Sequence, residues 1–370
     1  MKIVIAPDSF KGNMRSGRVC EIIRGAILRE APDAEVLAYP MADGGEGTVE
    51  AVVAATGGEI RKRRVCGPLG EPVEAAYGVL PDGTAIMEMA AASGIELVPA
   101  DRLSPMEATT FGTGDLILHL LGEGHDKIVM GIGGSATVDG GTGMAQALGY
   151  RFMDGDGKEI RERGGKILSR IRRIDASGVL PDLKRAAIRV ACDVTNPLCG
   201  PDGAAPVFGP QKGATPQMVA ALDAGLANLA EVVGIDGAAG DGAAGGLGFG
   251  LRAFCGAEVK SGARLIAETV GLPRALEGAD LLIPGEGQTD GQTASGKLCS
   301  VLAAMARERG VKTLLLSGAL RGDLDPFLEM FDYALSISSG RLTLEACIAH
   351  APVDLAFFSR KVMRLWVART

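Results

Sequence analysis

Apolar and polar positions along this chain fall into short hydrophobic runs separated by longer amphipathic stretches. Five runs, at residues 3–6, 36–39, 281–284, 313–316 and 333–337, are almost wholly apolar, and each leads into a polar or glycine-rich segment. That pattern predicts strands buried on both faces of a parallel sheet. Helical periodicity follows most of them, at 16–30 after the first, 47–56 after the second and 296–309 after the third, with a last helix at 343–367. Strand and helix in alternation predict a doubly wound parallel sheet.

Two of these strands come from the start of the chain and three from its end. The middle is therefore expected to be an inserted domain, with 1–60 and 276–370 forming the doubly wound domain and 61–275 the insert. The insert opens with hairpin-like runs at 59–65, 73–80 and 84–90, punctuated by GPLGEP and PDG. Then come a helix at 106–121, a strand at 127–131, a glycine-rich turn with a helix through residue 148, and a strand near 188–192. An alanine-rich helix at 216–233 precedes GAAGDGAAGGLGFG, which is expected to be flexible. The charge-dense stretch 158–173 is expected to be solvated helix and loop.

Composition narrows the class. The chain has 370 residues, long enough for two domains, with 47% apolar residues, 4% aromatics, 54 glycines and a formal net charge of −7. No basic stripe points to nucleic acid. No apolar run of about 18 residues predicts a membrane span. The chain opens on a strand rather than a signal peptide, and its seven cysteines are scattered with no CxxC pair. They are expected to be reduced thiols, and the protein cytoplasmic.

The chemistry concentrates where an open parallel sheet binds ligands, beyond the carboxyl ends of its strands. Strand one empties into PDSFKG, strand two into MADGGEGT and strand three into PGEGQTDGQTASGK. Asp8, Asp43, Glu46, Asp193, Glu286 and Asp290 are all expected in polar loops beside glycines. Such carboxylates either cap turns or hold the Mg²⁺ that phosphoryl transfer requires. The string GIGGSATVDGGTGMAQALG leaves a buried strand with Gly133, Gly134, Ser135, Thr137 and Asp139, then opens a helix. Its backbone N–H groups could cradle phosphate oxygens, or the glycines could serve a tight turn alone. GQTASGKL nearly matches a phosphate loop but has Leu298 where a hydroxyl would hold Mg²⁺; Lys297 either reaches a phosphate or lies on the helix surface. The run ACDVTNPLCGPDGAAPVFGPQKGA ends a strand in Asp193, Thr195 and Asn196, then continues as a long irregular loop.

His119, His125 and His350 read as structural, which disfavours a Ser-His-Asp hydrolase or a histidine-ligated metal centre. No GxGxxG with a following acid stands after strand one, so nicotinamide binding is disfavoured too.

The strings APDSFKG, MADGGEGT, GIGGSATVDGG, ACDVTNPLCG followed by GAAPVFGPQKGA, GAAGGLG, and GEGQTDGQT with its following GK occur in order between residues 6 and 297. Together they resemble the bacterial glycerate kinase family, type 1, over essentially the whole chain. The resemblance implies an ATP- and Mg²⁺-dependent phosphoryl transfer onto D-glycerate, with 2-phosphoglycerate as the favoured product. It implies two different α/β domains with a cleft between them: a five-stranded doubly wound parallel sheet, flavodoxin-like, built from both chain ends, and an inserted mixed α/β domain. One departure stands out: the family usually has Asn where this chain has Val138.

On this reading the nucleotide phosphates lie against residues 133–135 near Asp139, and Lys11 or Lys297 neutralises their charge. Glu286 and Asp290 hold Mg²⁺. Asp193 or Asp43 accepts the hydroxyl proton, with Asp8 also in the catalytic set. Arg64 and Lys11 are candidates for the glycerate carboxylate. The protein is expected to be a monomer or homodimer. A kinase for another small hydroxy-acid, or a non-catalytic sensor of a phosphorylated metabolite, remains the alternative.

Overall fold

The five apolar runs become the parallel sheet that their pattern predicts. A computed structural model describes residues 1–10, 12–290, 298–323, 325–338 and 343–368. Among these residues the strands are β1 (Lys2–Pro7), β2 (Glu35–Ala38), β3 (Glu59–Cys66), β4 (Pro72–Val79), β5 (Ala85–Glu88), β6 (Lys127–Gly131), β7 (Arg151–Met153), β8 (Arg173–Asp175), β9 (Ala187–Ala191), β10 (Glu258–Lys260), β11 (Leu281–Thr289), β12 (Lys312–Leu320) and β13 (Tyr333–Ser336). The chain forms two compact units. The first contains Met1–Asp43, Glu50–Gly57 and Gly262–Thr370, and the second Gly44–Val49 and Gly58–Ser261.

In the first unit the sheet order is β13-β12-β11-β1-β2, with every neighbouring pair parallel. Counted within the unit this is the order 2-1-3-4-5 of doubly wound flavodoxin-like sheets. Both faces are buried, which is why its strands read as continuous apolar runs. Ile3, Ile5, Leu314 and Leu316 pack with Val19, Ile23, Leu355 and Met363 on one side. Leu315 packs with Cys299, Ala303, Phe327 and Phe331 on the other. The helix Ser16–Glu30 has its predicted bounds, and Thr343 starts the last helix, Leu344–Val367, by accepting from the Ala346 N–H at 3.3 Å. Strand β11 runs five residues beyond the predicted stop at Pro284, because β12 supplies parallel partners as far as Thr289.

The second unit is built on a six-stranded sheet of order β10-β9-β6-β5-β4-β3. The pairs from β10 to β5 are parallel, while β5–β4 and β4–β3 are antiparallel. The outer strand β3 is charged and mostly exposed, as suits an edge. The alanine-rich helix Pro216–Val233 has the expected bounds, set by Thr215 as N-cap, Pro216 in the first turn and Gly234 in the left-handed region at its end.

Two expectations fail here. The helix placed at 106–121 begins only at Phe111, because residues 104–110 turn so that Thr110 can bind Asp139. Residues 243–250 of the stretch expected to be flexible instead open the buried helical segment Ala243–Cys255, kinked at Ala244, Gly245 and Gly246 by positive φ. No helix among the described residues is long and apolar enough to cross a membrane.

Candidate active site

The first unit collects acids along one sheet edge. Backbone pairing of Pro7 with Gly285 brings the carboxyl ends of β1 and β11 together, and the Asp8 N–H donates to the Gly285 carbonyl at 2.8 Å. The Met41 N–H donates to the Pro7 carbonyl at 3.0 Å, so the segment leaving β2 toward Asp43 passes beside the end of β1. Strand order reverses between β1 and β11, which makes this edge the topological switch point.

Asp8 is half-buried and takes the Ser9 N–H on Oδ1 at 2.6 Å; Asp43 is exposed. Glu286 is not in a loop, as expected from the sequence, but in the extended end of β11. Its Oε1 accepts from Thr289 Oγ1 at 2.8 Å, and Asp290 Oδ2 accepts from Gln288 Nε2 at 3.1 Å. Asp8 and Glu286 share a neighbourhood: burial pushes the Cys299 thiol well above its ordinary range, and the carboxylates of Glu286 and Asp8 push it further. Lys11 and Lys297 lie outside the described residues.

Asp8, Glu286 and Asp290 each offer carboxylate oxygens at the ends of β1 and β11. That fits Mg²⁺, which needs only one or two protein carboxylates beside water and substrate phosphates. Among the described residues there is no group of three or more His, Cys, Asp or Glu side chains arranged to hold a metal.

The second unit gathers its own strand ends around the glycine loop. Loop 131–141 leaves β6, the carboxyl end of β9 carries Asp193, and Glu88 ends β5. Asp193 is exposed and accepts from Ser261 Oγ at 3.1 Å. Glu88 Oε1 accepts from the Val49 N–H at 2.8 Å, fastening the Gly44–Val49 segment to this unit.

Most glycines of the loop serve packing. A Cβ on Gly131 would stand 2.3 Å from the Gly44 carbonyl oxygen, one on Gly140 2.6 Å from Leu229 Cδ2 and one on Gly141 2.9 Å from the Gly250 Cα; outside the loop, one on Gly245 would stand 1.9 Å from the Thr137 carbonyl oxygen. Only Gly133 and Gly134 are exposed, and Ser135 follows with 7% exposure.

Asp139, expected near the phosphates, is fully buried. It accepts from the Thr110 N–H (2.8 Å), Thr110 Oγ1 (2.9 Å), the Gly141 N–H (3.1 Å) and the Gly143 N–H (3.3 Å). Burial pushes its carboxyl up, against the pull of these donors. Its occupation is to tie the glycine turn to the start of helix Phe111–Gly122. Val138 is also fully buried, in the main core of this unit, so the departure from Asn is a core substitution. Arg64 sits exposed on β3, the edge strand furthest from β9 and β10. His119 bonds the Tyr77 hydroxyl at 3.1 Å and His125 the Gly83 carbonyl at 2.9 Å, both away from these loops.

Sequence reasoning missed Lys212. It is 2% exposed, and its Nζ donates to Ser135 Oγ at 2.5 Å and to the Thr137 carbonyl at 2.8 Å. Burial pushes its ammonium down to about 7, with Asp139 pulling it back up. The available signal was a lone lysine in FGPQKGA, with no acidic neighbour to pair it. A cavity of about 570 Å³, lined by Arg151, Arg161, Arg163 and Phe111 among others, lies in the same unit and contains none of the candidate residues.

Similarity to known proteins supplies the family. A family model described as "Glycerate kinase family" matches residues 3–367. A glycerate 2-kinase of Escherichia coli (strain K12) is 47% identical over 88% of this chain and 87% of its own length. A glycerate kinase of Bacillus subtilis (strain 168) is 44% identical over 95% and 94%. A solved structure of glycerate kinase 2 from Salmonella typhimurium LT2 superposes with a TM-score of 0.89 at 43% identity, covering 100% of this chain and 98% of the other. With a family model spanning nearly every residue and relatives alike over most of their length, the chain belongs to the glycerate kinase family and is a kinase.

Proposed function

We propose that the chain transfers the terminal phosphoryl group of ATP to the 2-hydroxyl of D-glycerate, giving 2-phosphoglycerate and ADP. The observation that carries the reading is the pair of acids at the switch point, Asp8 and Glu286, on a chain whose relatives are named for this substrate. The name of the Escherichia coli relative, a 2-kinase, supports the choice of hydroxyl.

In this reading Glu286 and Asp290 hold Mg²⁺, with Asp8 beside Glu286. The ion, when bound, neutralises charge on the phosphoryl oxygens. The exposed N–H groups of Gly133 and Gly134 and the Ser135 hydroxyl bind nucleotide phosphate, as donors next to a glycine turn can. Asp193 or Asp43, both exposed carboxylates at strand ends, takes the proton of the attacking hydroxyl. Lys11 and Lys297 supply positive charge to the phosphates. The protein's contribution is positioning and charge stabilisation, since phosphoryl transfer leaves it little covalent work.

Phosphorus NMR of the product made from ATP and D-glycerate tests both activity and regiochemistry. Attachment to the secondary oxygen places one proton on the carbon bearing the phosphate and splits the resonance into a doublet. A triplet reassigns the reaction to the primary hydroxyl. ADP release that appears only with another hydroxy-acid reassigns the acceptor.

A further inference from the structure

A lysine ammonium is among the costliest groups to bury, and an apolar side chain would fill the same space without that cost. Lys212 is nevertheless almost wholly buried, and among the described residues no carboxylate forms an ion pair with it. The nearest charge acting on it, Asp139, already accepts from Thr110, Gly141 and Gly143. The positive charge of Lys212 therefore lies under the glycine loop without an anion bonded to it.

The polar groups around it are short of acceptors. Ser135 has one hydroxyl proton; its oxygen is taken by Lys212, and among the described residues that proton has no acceptor. The N–H groups of Gly133 and Gly134 also have none there, and both residues are exposed. Thr137 Oγ1 is buried with no partner. Donors and a buried cation thus converge on one short segment, and what is missing is an anion.

We propose that Lys212 is a positioning residue that turns the 133–135 segment into a phosphoryl receptor. Its ammonium holds the Ser135 oxygen as an acceptor, so that the Ser135 proton is directed to a phosphoryl oxygen, and it supplies positive charge beneath that anion. This deepens, and rests on, the reading of 133–135 as the nucleotide phosphate site.

The test is a double-mutant cycle of Lys212→Met and Ser135→Ala, read by calorimetric binding of AMP-PNP and of adenosine with magnesium present, and by steady-state kinetics with ATP and D-glycerate. Met matches the length of the lysine stem and removes only the charge and donors, so Lys212→Met is expected to keep or raise the thermal midpoint. AMP-PNP affinity is expected to fall at least 10-fold in each single variant, adenosine affinity to stay within 2-fold, and kcat/KM for ATP to fall at least 100-fold. The double variant is expected to be little worse than either single one, because both break the same contact.

AMP-PNP affinity within 2-fold of wild type in a folded Lys212→Met overturns the inference, as do fully additive effects. A loss confined to the KM for glycerate overturns it as well, by moving the anion to the acceptor. Wild type that binds AMP-PNP while Lys212→Met binds it equally well sinks this inference alone. Wild type that binds no AMP-PNP sinks the nucleotide reading and this inference together. Where Lys212→Met does not fold, Ser135→Ala decides by the same affinity thresholds.

Discussion

Lys212 and Ser135 stand 77 residues apart in the chain and are joined by a hydrogen bond of 2.5 Å beneath the only exposed glycines of the 131–141 loop. The bond ties the short helical turn Pro210–Lys212, in the segment after β9 that the sequence suggests to be an irregular loop, to the turn after β6, and the two strands are neighbours in the sheet. It also fixes the consequences of titrating the lysine.

The ammonium of Lys212 is pushed from its ordinary 10.5 to about 7 in the folded protein. Between those values the unfolded chain binds the proton and the folded one does not, so stability rises with pH across that window. The charge weighs fully against folding below about pH 7, and this weight is gone above about 10.5. Lys212→Met is therefore expected to gain on wild type more at pH 6 than at pH 9.5, by about 3 kcal/mol. Urea unfolding at the two pH values measures it. The difference cancels the packing changes common to both, and a gain independent of pH would show that burial does not lower the proton affinity of Lys212.

Asp139 holds the glycine turn through Thr110, Gly141 and Gly143. Asp139→Ala leaves those buried donors unmet, and a loss of about 3–5 kcal/mol is expected. Chemical denaturation without any ligand is the measurement. A midpoint equal to wild type, with only nucleotide affinity reduced, would return Asp139 to the phosphate-contact role that its sequence position suggested.

Two glycines with positive φ separate packing from conformation. Gly245 has φ +70° and a Cβ there would stand 1.9 Å from the Thr137 carbonyl oxygen, whereas Gly200 has φ +89° and open space around it. Gly200→Ala is expected to cost about 1 kcal/mol for the left-handed backbone alone. Gly245→Ala adds a clash with backbone that cannot move aside, and is expected to cost about 3 kcal/mol or more. Thermal unfolding of both variants compares them directly.

Glu286 sits at the end of β11 with one oxygen accepting from Thr289. If it holds magnesium, Glu286→Gln raises the magnesium concentration needed for half-maximal rate by about 10-fold or more, since ligand and outer-shell changes at metal sites cost that much. Rates titrated with magnesium at saturating ATP give the number. An unchanged half-saturation point assigns the ion to other carboxylates.

Asp193 and Asp43 compete for the role of base. The one that takes the hydroxyl proton is expected to lose about 100-fold or more in kcat on conversion to Asn, with KM for both substrates little changed. Loss in neither variant removes both from that role.

Much of the architecture is legible in the chain itself. Residues 3–6 and 281–284 read as buried parallel strands because apolar side chains point to both faces of a sheet covered on both sides. The helix Pro216–Val233 reads to the residue because Thr215, Pro216 and Gly234 are local signals of its start and end. The end of β11 was not legible: GEGQT has no strand character of its own, and its extension depends on partners in β12. The stretch around Gly245 looked flexible for the same kind of reason. Glycine marks either freedom or a close approach, and only the neighbour, here the backbone of Thr137, distinguishes them.

The chain by itself determined which segments are strands and helices, that both of its ends build one doubly wound sheet, and that its acids and glycines gather at strand ends, because these follow from periodicity and turn chemistry within a few residues. Tertiary structure alone decided which of those groups are exposed. It buried Asp139 and Val138, left Gly133 and Gly134 open, and set Lys212 against Ser135. Burial and partnership are properties of segments far apart in the chain that fold against one another, and a side chain's charge, proton affinity and role follow from them.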